Sequence, residues 1–304
     1  METKTEKKKG KKEKEEKKPA DTRKIILVTG ANRGLGLAII EGLLEKKSKL
    51  RIILTARNDE LGQSVFNSLC EKYPEEKEKE QLYYHQLDIT NEESINEIIE
   101  FIKKTFKKID YIINNAGVSS KGTEFSPAVF DFTFSVNVYG TLNFTEKIIS
   151  AGILNKQGKI IFIGGKSGNV SKLKNDSLIN HFKTAKNADD LFKIGEKFKD
   201  AITEGTCDDD GWYKNTYGVS KMIVNTYARV LTKKREITRE AISVFSCHPG
   251  WLKTEMGGEH ALVDVKDGAN SVISLIELPD GINKEHQGKF FEDGKVSSFG
   301  LPEK

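Results

Sequence analysis

From Lys24 onward the chain alternates between unbroken apolar runs and stretches whose apolar residues recur every three or four positions. Runs of the first kind, bounded by Gly, Asn or Pro, predict strands buried on both faces, and the second kind predicts amphipathic helices. KIILVTG, LRIILTAR, QLYYHQLDI and IDYIINNAG read as the first four strands, KIIFI from Lys159 as the fifth, AISVFSCHPG as the sixth and GKFFEDGKV as a short seventh. Between them, LGLAIIEGLLEKK sets Leu37, Ile40 and Leu44 on one stripe, and a polar helix spans about 59–72. NEESINEIIEFIKKTF opens on an Asn-x-x-Ser start and spaces Ile95, Ile98, Ile99 and Ile102 helically. One long helix is predicted from about Ser126 to Ile153.

Strands alternating with helices of this length imply βαβ units, hence an α/β fold with a doubly wound parallel sheet of Rossmann type in one domain, residues 23–304. Roughly fifty residues separate the fifth strand from the helix around Tyr217, far beyond an ordinary loop. Within them NADDLFKIGEKFKDAIT offers Asn187 as a cap and Leu191, Ile194, Phe198 and Ile202 as an apolar stripe. An insertion at about 169–211 is therefore expected to fold as helices onto the domain.

Composition refines this picture in three places. The 304 residues are 37% hydrophobic, and no apolar run approaches the ~20 residues of a membrane span. Nor does an apolar secretory stretch precede the first strand. Three scattered cysteines (Cys70, Cys207, Cys247) lack metal-ligand spacing and fit free thiols in a reducing compartment, so a cytoplasmic protein with no metal site is expected. Residues 1–20 hold nine lysines and five glutamates, an excess equal to the whole net charge of +4. Segment 1–22 reads as a disordered, solvated tail; nuclear targeting and contact with an anionic surface are the other readings. The rest of the chain is balanced in charge, so no nucleic-acid partner is inferred.

Candidate chemistry begins with TGANRGLG, Thr29 to Gly36, between the first strand and first helix. Gly30 suits a tight turn, Gly34 lets backbone approach a pyrophosphate, and Gly36 permits close packing. The helix start supplies free N–H donors and a positive dipole end. The second strand ends in Leu54-Thr55-Ala56-Arg57, and Arg33 lies within the glycine loop. Two arginines without a carboxylate favour a ribose 2′-phosphate, hence NADPH, over the 2′-OH of NAD. A pair of solvated surface arginines is the alternative. Asp88, after the third strand, either contacts the adenine or caps the next helix.

Together with these, NNAG (Asn114 to Gly117), Asn137 in SVNVYGT, Tyr217 and Lys221 in YGVSK, and HPGWLKTEM occur in an order that resembles the short-chain dehydrogenase/reductase family from residue 24 to 304. LTAR, HQLDI, PGWLKTEM and the long insertion resemble its NADPH carbonyl reductases of the salutaridine and menthone reductase type. The resemblance implies an NADPH-dependent reductase of aldehydes, ketones or quinones. It also implies a monomer, because the insertion covers a surface other members use to associate. Cofactor contacts are implied at Gly30, Asn32, Arg33, Gly34, Leu35 and Gly36, and at Arg57, Asp88 and Ile89. Further contacts are implied at Asn115, Ala116 and Gly117, at Tyr217 and Lys221, and at Pro249, Gly250, Trp251 and Thr254.

Hydride addition to a carbonyl leaves negative charge on oxygen that must be protonated. Tyr217 and Lys221, four apart on a predicted helix, share a face, and an ammonium beside a phenol is expected to lower its pKa from about 10 so that Tyr217 acts as general acid. The resemblance gives Lys221 the nicotinamide ribose and Asn137 a water in the proton path. The same spacing at Tyr73 and Lys77, in YPEEK, reads as surface. In IGGKSG the family's substrate-binding serine position is Gly165. Ser167, a water or a backbone N–H could serve instead, or the oxygen is less well held. Losing one such donor costs about 10²–10³ in rate, so a slow reductase and a cofactor-binding protein without turnover both remain open. Trp251 and Tyr213 are expected to line an aromatic pocket, with core packing as the alternative, and His248 reads as a packed loop residue rather than a base.

Overall fold

The computed structural model describes residues 21–46, 49–75, 80–120, 122 and 124–301. Segment 1–20 of the expected tail lies outside the described residues, as does Lys77 of the surface Tyr-x-x-x-Lys copy. The described strands are β1 (Lys24–Val28), β2 (Leu50–Ala56), β3 (Leu82–Gln86), β4 (Ile109–Asn114), β5 (Leu154–Ile163), β6 (Ser243–His248), β7 (Phe290–Glu292) and β8 (Lys295–Ser297). They form one sheet in the order β3-β2-β1-β4-β5-β6-β7-β8, parallel except for the β7–β8 pair. The predicted seventh strand is thus a hairpin. Asp293 and Gly294 both take positive φ, 49° and 72°, the geometry of a two-residue turn that matches strand twist.

Helices α1 (Gly34–Glu45), α2 (Asp59–Lys72) and α10 (Val265–Glu277) cover one face of the sheet. Helices α3 (Glu92–Thr105), α4 (Pro127–Phe134), α5 (Thr141–Ser150) and α8 (Thr216–Leu231) cover the other. The strands are apolar throughout because alternate residues feed two separate cores: Ile160 and Phe162 face one, Ile161 and Ile163 the other. Such a sheet reverses its winding between β1 and β4, and the crevice beyond their carboxyl ends is where ligands of this architecture bind.

The single long helix expected at 126–153 is interrupted. Residues Ser135–Gly140 form a π-helical segment between α4 and α5, with the Thr141 N–H and hydroxyl both donating to the Val136 carbonyl five residues back. A side-chain carbon at Gly140 would lie 3.1 Å from Ile89 Cγ1 and 3.2 Å from the Ile89 carbonyl oxygen, so helix backbone presses directly on the loop after β3. A widened turn of this kind commonly accompanies function, and here it carries Asn137.

Residues 176–204 hold α6 (Asp176–Thr184) and α7 (Ala188–Glu204). Asn187 caps α7 by accepting from the Asp190 N–H, 2.9 Å, and Gly205 ends it in the left-handed region, φ 76°. Leu191, Ile194, Phe198 and Ile202 enter the core; Phe198 meets Trp212, ring centroids 5.0 Å apart, and Phe130 and Phe134 of α4. A short helix, α9 (Arg235–Arg239), leads into β6.

Candidate active site

The glycine loop is built by the ends of β1 and β4. Thr29 Oγ1 accepts from the backbone N–H groups of Asn115, 3.0 Å, and Ala116, 2.9 Å. The Asn115 amide donates back to the carbonyls of Thr29, 2.8 Å, and Gly30, 3.0 Å. Gly30 and Gly34 take positive φ, 62° and 55°, where a side chain is strained. A carbon on Gly36 would stand 2.6 Å from Asn115 Nδ2 and 2.7 Å from the Gly30 oxygen, so close packing demands glycine there. Arg33, at the N-cap of α1, makes no side-chain cap, which leaves the first N–H groups of the helix open to an anion. Asn32 is partly buried and Leu35 is buried beneath the loop.

Arg33 itself turns across the cleft. Its Nη1 lies 2.5 Å from Glu255 Oε2 in the loop after β6, with the two side chains 72% and 64% exposed. Thr254, beside Glu255, comes within 3.7 Å of the point a Gly34 side chain would occupy. Arg57 is exposed and, among the described residues, forms no ion pair. Asp88 does not cap α3; Asn91 does, accepting from the Ser94 N–H at 2.9 Å. Asp88 Oδ1 instead accepts from the N–H and hydroxyl of Thr90, 2.9 and 2.7 Å, and Ile89 is buried against Gly140.

On the next strand ends, Asn137 is 1% exposed, and its amide clasps Val118: Oδ1 accepts from the N–H, 2.8 Å, and Nδ2 donates to the carbonyl, 2.9 Å. Nδ2 also donates to Ser220 Oγ, 3.1 Å, tying the π segment to α8. Asn215 caps α8 by accepting from the Gly218 N–H, 2.6 Å, which sets Tyr217 in the first turn and Lys221 one turn later. Lys221 Nζ lies 5.5 Å from the centre of the Tyr217 ring and donates to the Ile163 carbonyl, 2.7 Å, at the end of β5. A carbon on Gly117 would fall 3.3 Å from Asn137 Oδ1 and 3.7 Å from Lys221 Nζ. Tertiary folding thus brings Gly117, Asn137, Tyr217 and Lys221 to one place.

The electrostatics depart from the sequence expectation. Burial pushes the Tyr217 phenol up to about 12 rather than down, and burial lowers Lys221 to about 8. The ammonium is directed at the Ile163 carbonyl, and enclosure of the phenol outweighs any help from it. His248 is partly buried and held below its usual range by desolvation.

After β5 stand Gly164, Gly165 and a 3₁₀ turn, Lys166–Gly168. Asn225, one turn beyond Lys221 on α8, donates through Nδ2 to the carbonyls of Gly165, 3.1 Å, and Gly168, 3.2 Å. Ser167 is partly buried. Trp251 is 51% exposed, its indole donating to the Gly257 carbonyl at 2.9 Å, and therefore does not pack in the core. Tyr213 packs on Gly218 beside the first turn of α8. Pro249 and Gly250 carry the chain from β6 into this loop, Gly250 with φ 94° against Val263.

Two contributors escape a motif reading. Thr29 stands inside the quoted glycine motif, but its work in joining two strand ends is tertiary. Asn225 had a visible signal, a lone amide within the apolar MIVNTYARVL, four residues after Lys221.

A glycine-rich turn opening a helix at the switch point of a doubly wound parallel sheet defines the class: a Rossmann-type dinucleotide-binding fold. The short chain dehydrogenase family matches residues 24–177. Carbonyl reductase (NADPH) 1 of Mus musculus is 30% identical over 284 residues, covering 91% of this chain and 99% of that protein. Salutaridine reductase of Papaver somniferum superposes with a TM-score of 0.75 at 22% identity, over 88% of this chain and 99% of the other. Menthone neomenthol reductase of Mentha piperita does so with a TM-score of 0.73 at 20% identity, over 90% and 99%. The chain belongs to the short-chain dehydrogenase family. Among the described residues no helix is long and apolar enough to cross a membrane.

Proposed function

We propose that this chain is an NADPH-dependent reductase of aldehydes, ketones or quinones. The observation that carries the reading is the pairing of Tyr217 with the buried Lys221 at the carboxyl edge of the sheet, next to a glycine loop built for a dinucleotide. The residues fit that cofactor: Gly30 and Gly34 expose backbone, α1 begins uncapped, and Arg57 is free to meet a 2′-phosphate. The name of the mouse relative supports NADPH in the same role.

When bound, NADPH supplies the hydride; the chain's own residues manage the oxygen and the proton. Tyr217, raised to about 12, holds its proton throughout the neutral range and delivers it to the carbonyl oxygen as negative charge develops there. Lys221 spends one N–H on Ile163 and keeps two for the ribose hydroxyls, while its charge favours the phenolate left behind. Asn137, locked to Val118 and Ser220, fixes the floor of the site. The packing of α7 on α4 supports a single-chain state.

A second reading, a protein that binds the cofactor without turning it over, rests on Gly165. NADPH oxidation by the purified protein with aromatic aldehydes, ketones and quinones separates the two. Turnover that Tyr217→Phe abolishes is the expected result. Cofactor binding without consumption of any carbonyl in the set would favour the second reading.

A further inference from the structure

We infer that Ser167 supplies the hydroxyl donor to the substrate's carbonyl oxygen, from a place beside the position that a side chain at residue 165 would take. The inference rests on the carbonyl-reductase reading above.

The two glycines after β5 are side-chain-free for different reasons. A carbon on Gly164 would stand 1.9 Å from Asn225 Oδ1, so that position is filled by the asparagine amide. Gly165 faces no such block. Its backbone is extended, φ 176° and ψ 147°, which any residue adopts, and the nearest atom to a carbon placed there is Ser167 Oγ, at 3.2 Å. Next come Cγ and Cβ of Lys221, at 3.5 and 3.7 Å. The Ser167 hydroxyl therefore lies in contact with the position that a side chain at 165 would take, beside the stem of the lysine that underlies Tyr217.

Ser167 is also held there. The Gly168 N–H donates to the Gly165 carbonyl, 3.0 Å, and Asn225 Nδ2 clamps the carbonyls at both ends of the turn, 3.1 and 3.2 Å. Lys166 is drawn the other way, to Glu292 at 2.7 Å. Gly168 sits on α8 itself, where a side-chain carbon would meet the Lys221 carbonyl carbon at 2.4 Å. Among the described residues the Ser167 hydroxyl has no hydrogen-bond partner and remains free to donate to a ligand. A hydroxyl on a turn anchored to the helix that carries Tyr217 and Lys221 is a preorganised donor, which is what stabilising a developing oxyanion requires.

The test measures kcat for an aromatic aldehyde, and NADPH affinity by fluorescence titration, in wild type, Ser167→Ala, the double variant Gly165→Ser with Ser167→Ala, and Tyr217→Phe. The expected result is a loss of about 10²–10³-fold in kcat for Ser167→Ala with NADPH affinity unchanged. The double variant should recover most of that loss, because removing the Ser167 hydroxyl makes room for the new one. Ser167→Ala turning over at the wild-type rate while Tyr217→Phe is inactive would overturn the assignment and leave the reductase reading intact. Loss of both turnover and NADPH binding, or loss without rescue, would overturn it too, as a structural role. Absence of wild-type turnover would remove the reductase reading, and this inference with it.

Discussion

Burial raises the Tyr217 phenol to about 12 and lowers the Lys221 ammonium to about 8, so one environment moves the acid and the cation in opposite senses. Lys221, down from 10.5, is charged below about pH 8 and neutral above it, whereas Tyr217 keeps its proton far beyond that point. Reduction that uses the ammonium should hold its rate on the acid side and decline as pH rises through about 8. The measurement is kcat/KM for an aromatic aldehyde against pH; a profile still flat at about pH 10 would remove the Lys221 charge from the mechanism. The Tyr217 and Lys221 pair could be read from its spacing and its place ahead of an apolar helix. The sense of the tyrosine's shift could not, because it is set by burial of the phenol, which only the folded surroundings produce.

The turn after β5 and the interrupted helix show how far element-level patterns reach. IGGKSG reads as a strand end with a missing serine, yet nothing in those letters separates the two glycines. Packing does: Gly164→Ser must displace the buried Asn225 amide, while Gly165→Ser meets only the tip of Ser167. Thermal or urea unfolding should show Gly164→Ser destabilised by about 1–3 kcal/mol, as expected for overpacking, with Gly165→Ser close to wild type. Equal stability for both would refute the packing account of Gly164. The π segment at Ser135–Gly140 was not legible because the apolar periodicity runs on through it. Within it Gly140 packs closely on the Ile89 backbone, a tertiary contact that no local pattern records.

Across the fold, the cofactor cleft is spanned by the Arg33–Glu255 pair, with both groups largely exposed. Such pairs contribute about 0–1 kcal/mol, so a ligand phosphate can displace Glu255 from Arg33 at little cost. On the proposed reading Arg57, exposed and without an ion pair among the described residues, is the other arginine that would meet the 2′-phosphate. NADPH should therefore raise the melting temperature more than NADH at equal concentration, since stabilisation grows with ligand over Kd. Arg57→Asp should shrink or reverse that difference. An unchanged preference in Arg57→Asp would place cofactor choice elsewhere. The cleft-spanning pair had no sequence signature, because its partners lie 222 residues apart.

Apolar runs and helical spacing sufficed for the doubly wound sheet and most of its element order, and the glycine-rich turn and the Tyr217–Lys221 interval were visible as short fixed spacings, whereas Asn137 was singled out only by the family resemblance. Which side chains meet was decided only on folding. Thr29 joins the ends of β1 and β4, Asn225 enters the space Gly164 leaves empty, Glu255 takes Arg33, and Ser167 comes to rest beside Gly165. Each of these turns on distances of a few ångströms set by close packing, and all but the last join residues far apart in the chain.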